Sequence, residues 1–175
     1  GRGQAERLNI SGLDAVRRHY RRGGWVARFN PDRFQRSSAC ESRAMAEYAL
    51  LRWMLASGLP VPAPVAARQQ RHGKHYTADI LVAMIPNTRN LVQAPLSTAQ
   101  WHAAGKAIRQ LHDAQVHHSD LNAHNILLDT QDQAWIVDFD KCEVRSGQAW
   151  KARNLQRLQR SLRKEQQRLA GFQWS

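Results

Sequence analysis

Cysteine is scarce in this chain: Cys40 and Cys142 are the only two. They are too few for a disulfide framework and form no C-x-x-C pair, so reduced thiols without a function, in a reducing compartment, are expected. No apolar run reaches the about 18 residues that a bilayer-spanning helix needs. Gly1 rather than Met opens the sequence and no basic-then-apolar leader follows, so these residues hold no export signal, and a start inside a motif would mean that residues are missing upstream. Internal repeats and low-complexity tracts are missing too. Acid is in short supply: 14 Asp and Glu stand against 26 Lys and Arg, a net charge of +12. That excess draws anionic partners, whether nucleic acid, phosphorylated substrates or anionic lipid.

What is present suffices for a globular fold. The 175 residues are 42% hydrophobic and 23% charged, which suits one domain or two small lobes. The run "GLDAVRRHYRRGGWVARF" reads as a strand broken at Gly23-Gly24. A helix is expected from Ser42 to Ser57, with Met45, Tyr48, Ala49, Trp53 and Met54 recurring at helical steps and Gly58 and Pro60 as its stop. "LPVPAP" reads as an extended connector, and "PVAARQQ" and "YTADILVAMI" as strands joined at Gly73. The loop-rich stretch 85–100 is the candidate hinge between a sheet-bearing lobe (1–85) and a helical lobe (86–175). Ser97 or Thr98 can cap a helix carrying Trp101, Ala104, Ile108 and Leu111 on one face. "NILL" and "AWIVDF" flank the turn "DTQDQ" as a hairpin.

The chemistry concentrates in "HHSDLNAHNILL" (117–128) and the later "DFD" (138–140). The protein-kinase catalytic loop reads H-R-D-L-x-x-x-N, followed across a hairpin by D-F-G. His118, Asp120, Leu121 and Asn125 keep that spacing, and Asp138-Phe139 follows at hairpin distance. Phosphoryl transfer needs a carboxylate at the attacking hydroxyl and oxygen ligands for a metal on the phosphates. Asp120, with His118, is therefore the candidate catalytic group, and Asn125 and Asp138 are the candidate Mg²⁺ ligands. Zinc on His117, His118 and His124 is the weaker alternative, because no matching cluster lies elsewhere.

A site of this kind also needs a strand cation for the nucleotide phosphates, braced by a helical glutamate. Arg18, with Arg17 on the opposite strand face, and Glu47 fill those places; the competing reading makes them an ordinary surface arginine and an exposed glutamate. Arginine here departs from the usual lysine, since its planar fork is not interchangeable with an ammonium. Gly1-Arg2-Gly3 is either the end of a glycine-rich nucleotide loop or a simple turn.

"RHYRRGG", "GLPVPAPVAAR", "HSDLNAHNILLD" and "IVDFDKC" together closely resemble the bacterial 3-deoxy-D-manno-octulosonic acid (Kdo) kinase family over most of the chain. The resemblance implies an α+β, two-lobed protein-kinase-like fold: a small antiparallel N-lobe sheet with one helix and a reduced helical C-lobe, with the first nucleotide-covering strand expected to be missing. It implies ATP and Mg²⁺ as cofactors and transfer to the 4-hydroxyl of a Kdo sugar on a lipid A precursor, during lipopolysaccharide synthesis at the cytoplasmic face of the inner membrane. Gln115 departs from the pattern where a turn-forming glycine is commoner. No Ala-Pro-Glu segment follows Asp140, which disfavours a protein acceptor.

The last stretch reads as a helix with Leu155, Leu158, Leu162 and Leu169 in a basic surround of seven Lys and Arg from Lys151 to Arg168. Those cations either face an anionic membrane or are the solvated side of a helix whose leucines pack on the lobe, and Trp150 and Trp174 either sit at a membrane interface or belong to the core. Two other functions compete with the sugar kinase: another kinase-like phosphotransferase acting on an antibiotic or a protein, and a non-enzymatic RNA-binding module using Arg17–Arg36 and Lys151–Arg168. On the first reading neither nucleic acid nor a protein partner is expected.

Overall fold

Ser11 and Gly12 both adopt left-handed backbone, φ 50° and 87°. A two-residue loop of that geometry folds two right-twisted strands into a hairpin, here β1 (Ala5–Ile10) and β2 (Leu13–His19). The computed structural model describes residues 5–20, 34–35, 42–73, 75–169 and 172. Gly1, Gly3, Cys40, Trp174, the break at Gly23-Gly24 and much of the basic stretch 21–36 lie outside them. The described residues cluster into two units, 1–53 with 62–84, and 54–61 with 85–175. The segment 54–61, assigned to the first lobe on sequence grounds, thus packs with the second.

In the first unit, β2 pairs antiparallel with β5 (His75–Ala83), which pairs along its other edge with β4 (Pro64–His72) and, at its start, with β3 (Phe34–Gln35). Gly73 turns β4 into β5 at φ 58°. α1 (Arg43–Ala56) begins at Ser42, whose Oγ accepts from Met45 N–H at 3.4 Å. It ends in a Schellman turn: Leu59 N–H donates to Met54 O at 3.0 Å, Gly58 N–H to Leu55 O at 3.0 Å, and Gly58 sits at φ 72°. The buried face of α1 is Ala44, Glu47, Leu51 and Met54. The expected stripe was displaced from it: Met45 and Trp53 are exposed. The helix turns its glutamate inward because that carboxylate has partners there.

In the second unit, α2 (Thr98–Asp113) starts at a reciprocal capping box, with Gln100 N–H donating to Ser97 Oγ (3.2 Å) and Ser97 N–H to Gln100 Oε1 (3.0 Å). It buries Ala104, Ala107, Ile108 and Leu111. The expected hinge contributes β6 (Arg89–Asn90), which pairs with β8 (Ile126–Leu128), itself paired with β9 (Ala134–Ile136). β7 (Val116–His117) pairs with β10 (Glu143–Val144), and α3 (Ala149–Arg168) follows. Leu158 and Leu162 are core, whereas Leu155 and Leu169 are exposed. Trp150 is also core: it is buried, its Nε1–H donates to Arg145 O at 3.0 Å, and it meets His112 and His117 edge-on, which removes it from any membrane interface. The antiparallel sheets and three helices of the described residues form the α+β fold expected of a kinase-like chain.

Candidate active site

α2 must turn sharply into the loop, and Gln115 makes that turn at φ 59°. Glycine would adopt this conformation without strain. Glutamine compensates with its carboxamide, which donates to Arg145 O (2.9 Å) and Gly147 O (3.1 Å) and accepts from Lys151 Nζ (3.1 Å).

The loop is then organised around His118, which is fully buried. Its Nε2–H donates to Val137 O at 3.0 Å, and its Nδ1 accepts the Asp120 N–H at 3.2 Å. A carbonyl only accepts, so the tautomer is fixed with the proton on Nε2. Burial pushes the imidazole down to about 4, with the Val137 bond and the Asp120 charge opposing it. The ring lies edge-on to Phe139, 4.9 Å between centroids. His118 was expected among the catalytic groups, but an enclosed ring with both nitrogens committed to backbone positions the site instead of touching substrate. The same commitment removes it from a zinc cluster, and His124 Nε2 is taken by Glu165 at 3.2 Å. Among the described residues no group of three His, Cys, Asp or Glu is arranged to hold a metal.

Two asparagines shape the rest. Asn122 Oδ1 accepts from the N–H groups of His124 (2.9 Å) and Asn125 (3.2 Å), and Asn122 Nδ2 donates to Asp120 O at 3.0 Å. Asn125 Nδ2 donates to the same carbonyl at 3.0 Å. Val137 N–H donates to Asn125 O at 2.9 Å, which brings Asp138, the next residue, out of the strand beside Asn125. Asp138 has φ 69°. Hydrogen bonds thus link the backbones of Asp120, Asn125 and Val137, the residue before Asp138, and the His118 ring bridges Asp120 to Val137.

Sequence reasoning missed the role of α3. Four polar residues at steps of three, four and four share one of its faces, and each grips the loop. Asn154 Nδ2 donates to His118 O (2.7 Å), Arg157 Nε to Asp120 Oδ1 (3.0 Å), and Ser161 Oγ accepts from Ala123 N–H (3.2 Å); Glu165 holds His124. The periodicity of Asn, Arg, Ser and Glu in a helix of Lys, Arg and Gln was the available signal. Asp120 is desolvated in part, but Arg157 and the Asn122 amide outweigh this and hold its carboxyl below the ordinary range.

In the first unit Arg18 on β2 pairs with Glu47 on α1, and Tyr20 donates its hydroxyl to the same carboxylate. Glu47 is buried, which overturns the surface-pair reading. Arg17 pairs with Glu6 at 3.1 Å, exposed. Tyr20 was not anticipated; it lies two residues beyond Arg18 and so shares its strand face.

The sequence profile of the lipopolysaccharide kinase (Kdo/WaaP) family matches residues 1–174. The chain belongs to that family. It is similar to proteins named 3-deoxy-D-manno-octulosonic acid kinase: 42% identical to that of Vibrio cholerae over all of this chain and 76% of that protein. It is 45% identical to that of Photobacterium profundum (95% and 72%) and 44% identical to that of Mannheimia succiniciproducens (92% and 70%). This kinase is accordingly a phosphotransferase with a hydroxyl acceptor, which displaces the RNA-binding alternative.

Proposed function

We propose that this kinase transfers the γ-phosphoryl group of ATP to a hydroxyl, the 4-hydroxyl, of a Kdo residue on a lipid A precursor in lipopolysaccharide synthesis. The observation that carries the reading is the loop itself, in which His118, Asn122 and Asn125 hold the Asp120 backbone and leave its carboxylate at the surface. The names of the relatives supply the acceptor. In the reaction Asp120 orients the acceptor hydroxyl and takes its proton as the oxygen bonds to phosphorus and the ADP oxygen leaves. Held ionised by Arg157, Asp120 is a weak base, so orientation is the larger part of its work.

The donor set fits Mg²⁺. Asn125 commits its amide nitrogen to Asp120 O, which leaves Oδ1 as a hard ligand, and Asp138 adds a carboxylate. A pair of oxygen side chains, with phosphate oxygens and water completing the octahedron, is how this ion is usually held. Bound Mg²⁺ neutralises phosphate charge that would otherwise repel the attacking oxygen. In the first unit Arg18, braced by Glu47 and Tyr20, is the cation for nucleotide phosphate.

Membrane placement rests on α3. Arg153, Arg160 and Lys164, at steps of seven and four, form one exposed row along the edge of the loop-gripping face, one or two turns from Arg157, with Arg163 further round the helix. No helix of the described residues is long and apolar enough to cross a membrane; on this reading the row of cations attaches the kinase peripherally to anionic lipid at the cytoplasmic face of the inner membrane. Labelled ATP with Mg²⁺ and a Kdo-bearing lipid A precursor, the sugar-free lipid or a generic protein substrate tests the function. Label in the Kdo-bearing lipid alone is expected; label in the sugar-free lipid or the protein refutes the assignment.

A further inference from the structure

Arg157 is oddly placed for a merely structural residue. Its side chain is 48% exposed and that of its partner Asp120 is 35% exposed. Ion pairs so open to solvent contribute little to stability. Asn154 and Ser161 already anchor the loop by its backbone, at His118 O and Ala123 N–H. Arg157 makes no bond to the loop backbone; among the described residues its hydrogen bonds go to the Asp120 carboxylate.

The guanidinium is half used. Nε and Nη2 engage Asp120 Oδ1, while Nη1 has no acceptor among the described residues. A guanidinium presents two edges, each matching a carboxylate, so the edge formed by Nη1 and Nη2 can take a second anion while the first stays bound. The loop 117–128 contains no Lys or Arg of its own. An acceptor whose hydroxyl lies within hydrogen-bond reach of Asp120 also lies within a few ångströms of Arg157. If that acceptor is itself an anion, its charge falls beside Asp120, and Arg157 is the cation already between them.

We infer that Arg157 is the specificity-determining residue for the acceptor, presenting its outer edge to the carboxylate of a sugar acid while its inner edge holds Asp120. The inference rests on the proposed function, because the relatives are named for an octulosonic acid, and such a group is ionised at neutral pH. The enzyme then recognises a carboxylate-bearing sugar by a charge pair assembled at the reacting group, and a neutral sugar of the same shape gains no such contact.

The test compares parent, Arg157→Gln and Arg157→Lys on two acceptors, the Kdo-bearing lipid and the same lipid with its carboxylate converted to a carboxamide. Arg157→Gln is expected to lower kcat/KM on the acid by about a hundredfold, mainly through KM for the acceptor. Through the disturbance of Asp120 it should also lower kcat/KM on the carboxamide, but by only about tenfold and through kcat, with KM for ATP unchanged, so that discrimination between acceptors falls about tenfold. Arg157→Lys, which keeps the charge but loses the fork, should fall between. Equal losses on acid and carboxamide would reduce Arg157 to a holder of Asp120 and overturn the inference. Binding of the free sugar acid and its carboxamide, followed by NMR without ATP, reads the same preference independently of turnover. A parent inactive on both lipids would sink the proposed function, while the binding arm still decides Arg157. Melting curves identify any unfolded variant, in which case the Lys variant carries the comparison.

Discussion

Acidification is expected to loosen the active-site loop through one buried imidazole. His118 is held neutral in the folded chain with its pKa pushed down to about 4 from an ordinary 6.5. Protonation must occur at Nδ1, where it would aim an N–H at the Asp120 N–H that this nitrogen now accepts. The unfolded chain therefore binds the extra proton between pH 6.5 and 4, and stability falls as pH drops through that window. The gap corresponds to about 3 kcal/mol when fully developed, of which about 2 kcal/mol is lost between pH 7 and pH 5. Burial also holds His112 and His117 below their ordinary value, and both push the same way. Two assays isolate His118: denaturant unfolding of parent and His118→Gln from pH 7 to 5, and the NMR titration of its ring. The variant should show a shallower pH dependence than parent, and the ring should titrate far below 6.5. An ordinary midpoint near 6.5, or identical pH dependence in both proteins, would refute the reasoning.

Asp120→Asn is expected to lower turnover by about two to four orders of magnitude with melting temperature and ATP affinity preserved, because its loop neighbours hold the backbone of residue 120. Asp138→Ala should instead raise the Mg²⁺ concentration needed for half-maximal activity, read from a metal titration. Glu47→Gln should weaken ATP binding by about tenfold and cost about 1–3 kcal/mol of stability, since it removes the charge that pairs Arg18 in a buried place; calorimetric ATP binding beside a melt checks both. Replacing Arg153, Arg160, Arg163 and Lys164 by Gln should reduce co-sedimentation with anionic vesicles, each cation being worth at most about 1 kcal/mol, and high salt should abolish the difference. Arg157 is left out of that set because its loss would also disturb Asp120.

The catalytic loop was legible because its information is local. His118 to Asn125 fold back on themselves through side chains two to five residues apart, so spacing and geometry say the same thing. The helix stop at Gly58, the cap at Ser97 and the hairpin before Asp138 were legible for the same reason. The phase of α1 was not, because burial of Glu47 is decided by Arg18 and Tyr20, 29 and 27 residues away, and a charged residue on a helix is ordinarily assigned outward. α3 was open for a related reason. Its net charge left a lipid surface and a solvated face both available to the seven cations, and neither reading foresaw that Arg157 is turned to a carboxylate 37 residues upstream. Composition identifies what a helix attracts on average; which side chain meets which partner follows from the step of three and four.

The grip of α3 on the loop also sets an order in time. Asn154, Arg157, Ser161 and Glu165 are translated well after the residues they hold. A nascent chain that has just exposed residues 118–125 therefore carries the whole motif and none of its clamps. Nothing yet fixes the His118 carbonyl, the Asp120 carboxylate or the Ala123 amide from outside the loop. Competence should arrive as a step when residues 149–168 wind into a helix, instead of rising with length. A ribosome-stalled chain ending before Asn154 would have the chemistry spelled out and the geometry absent.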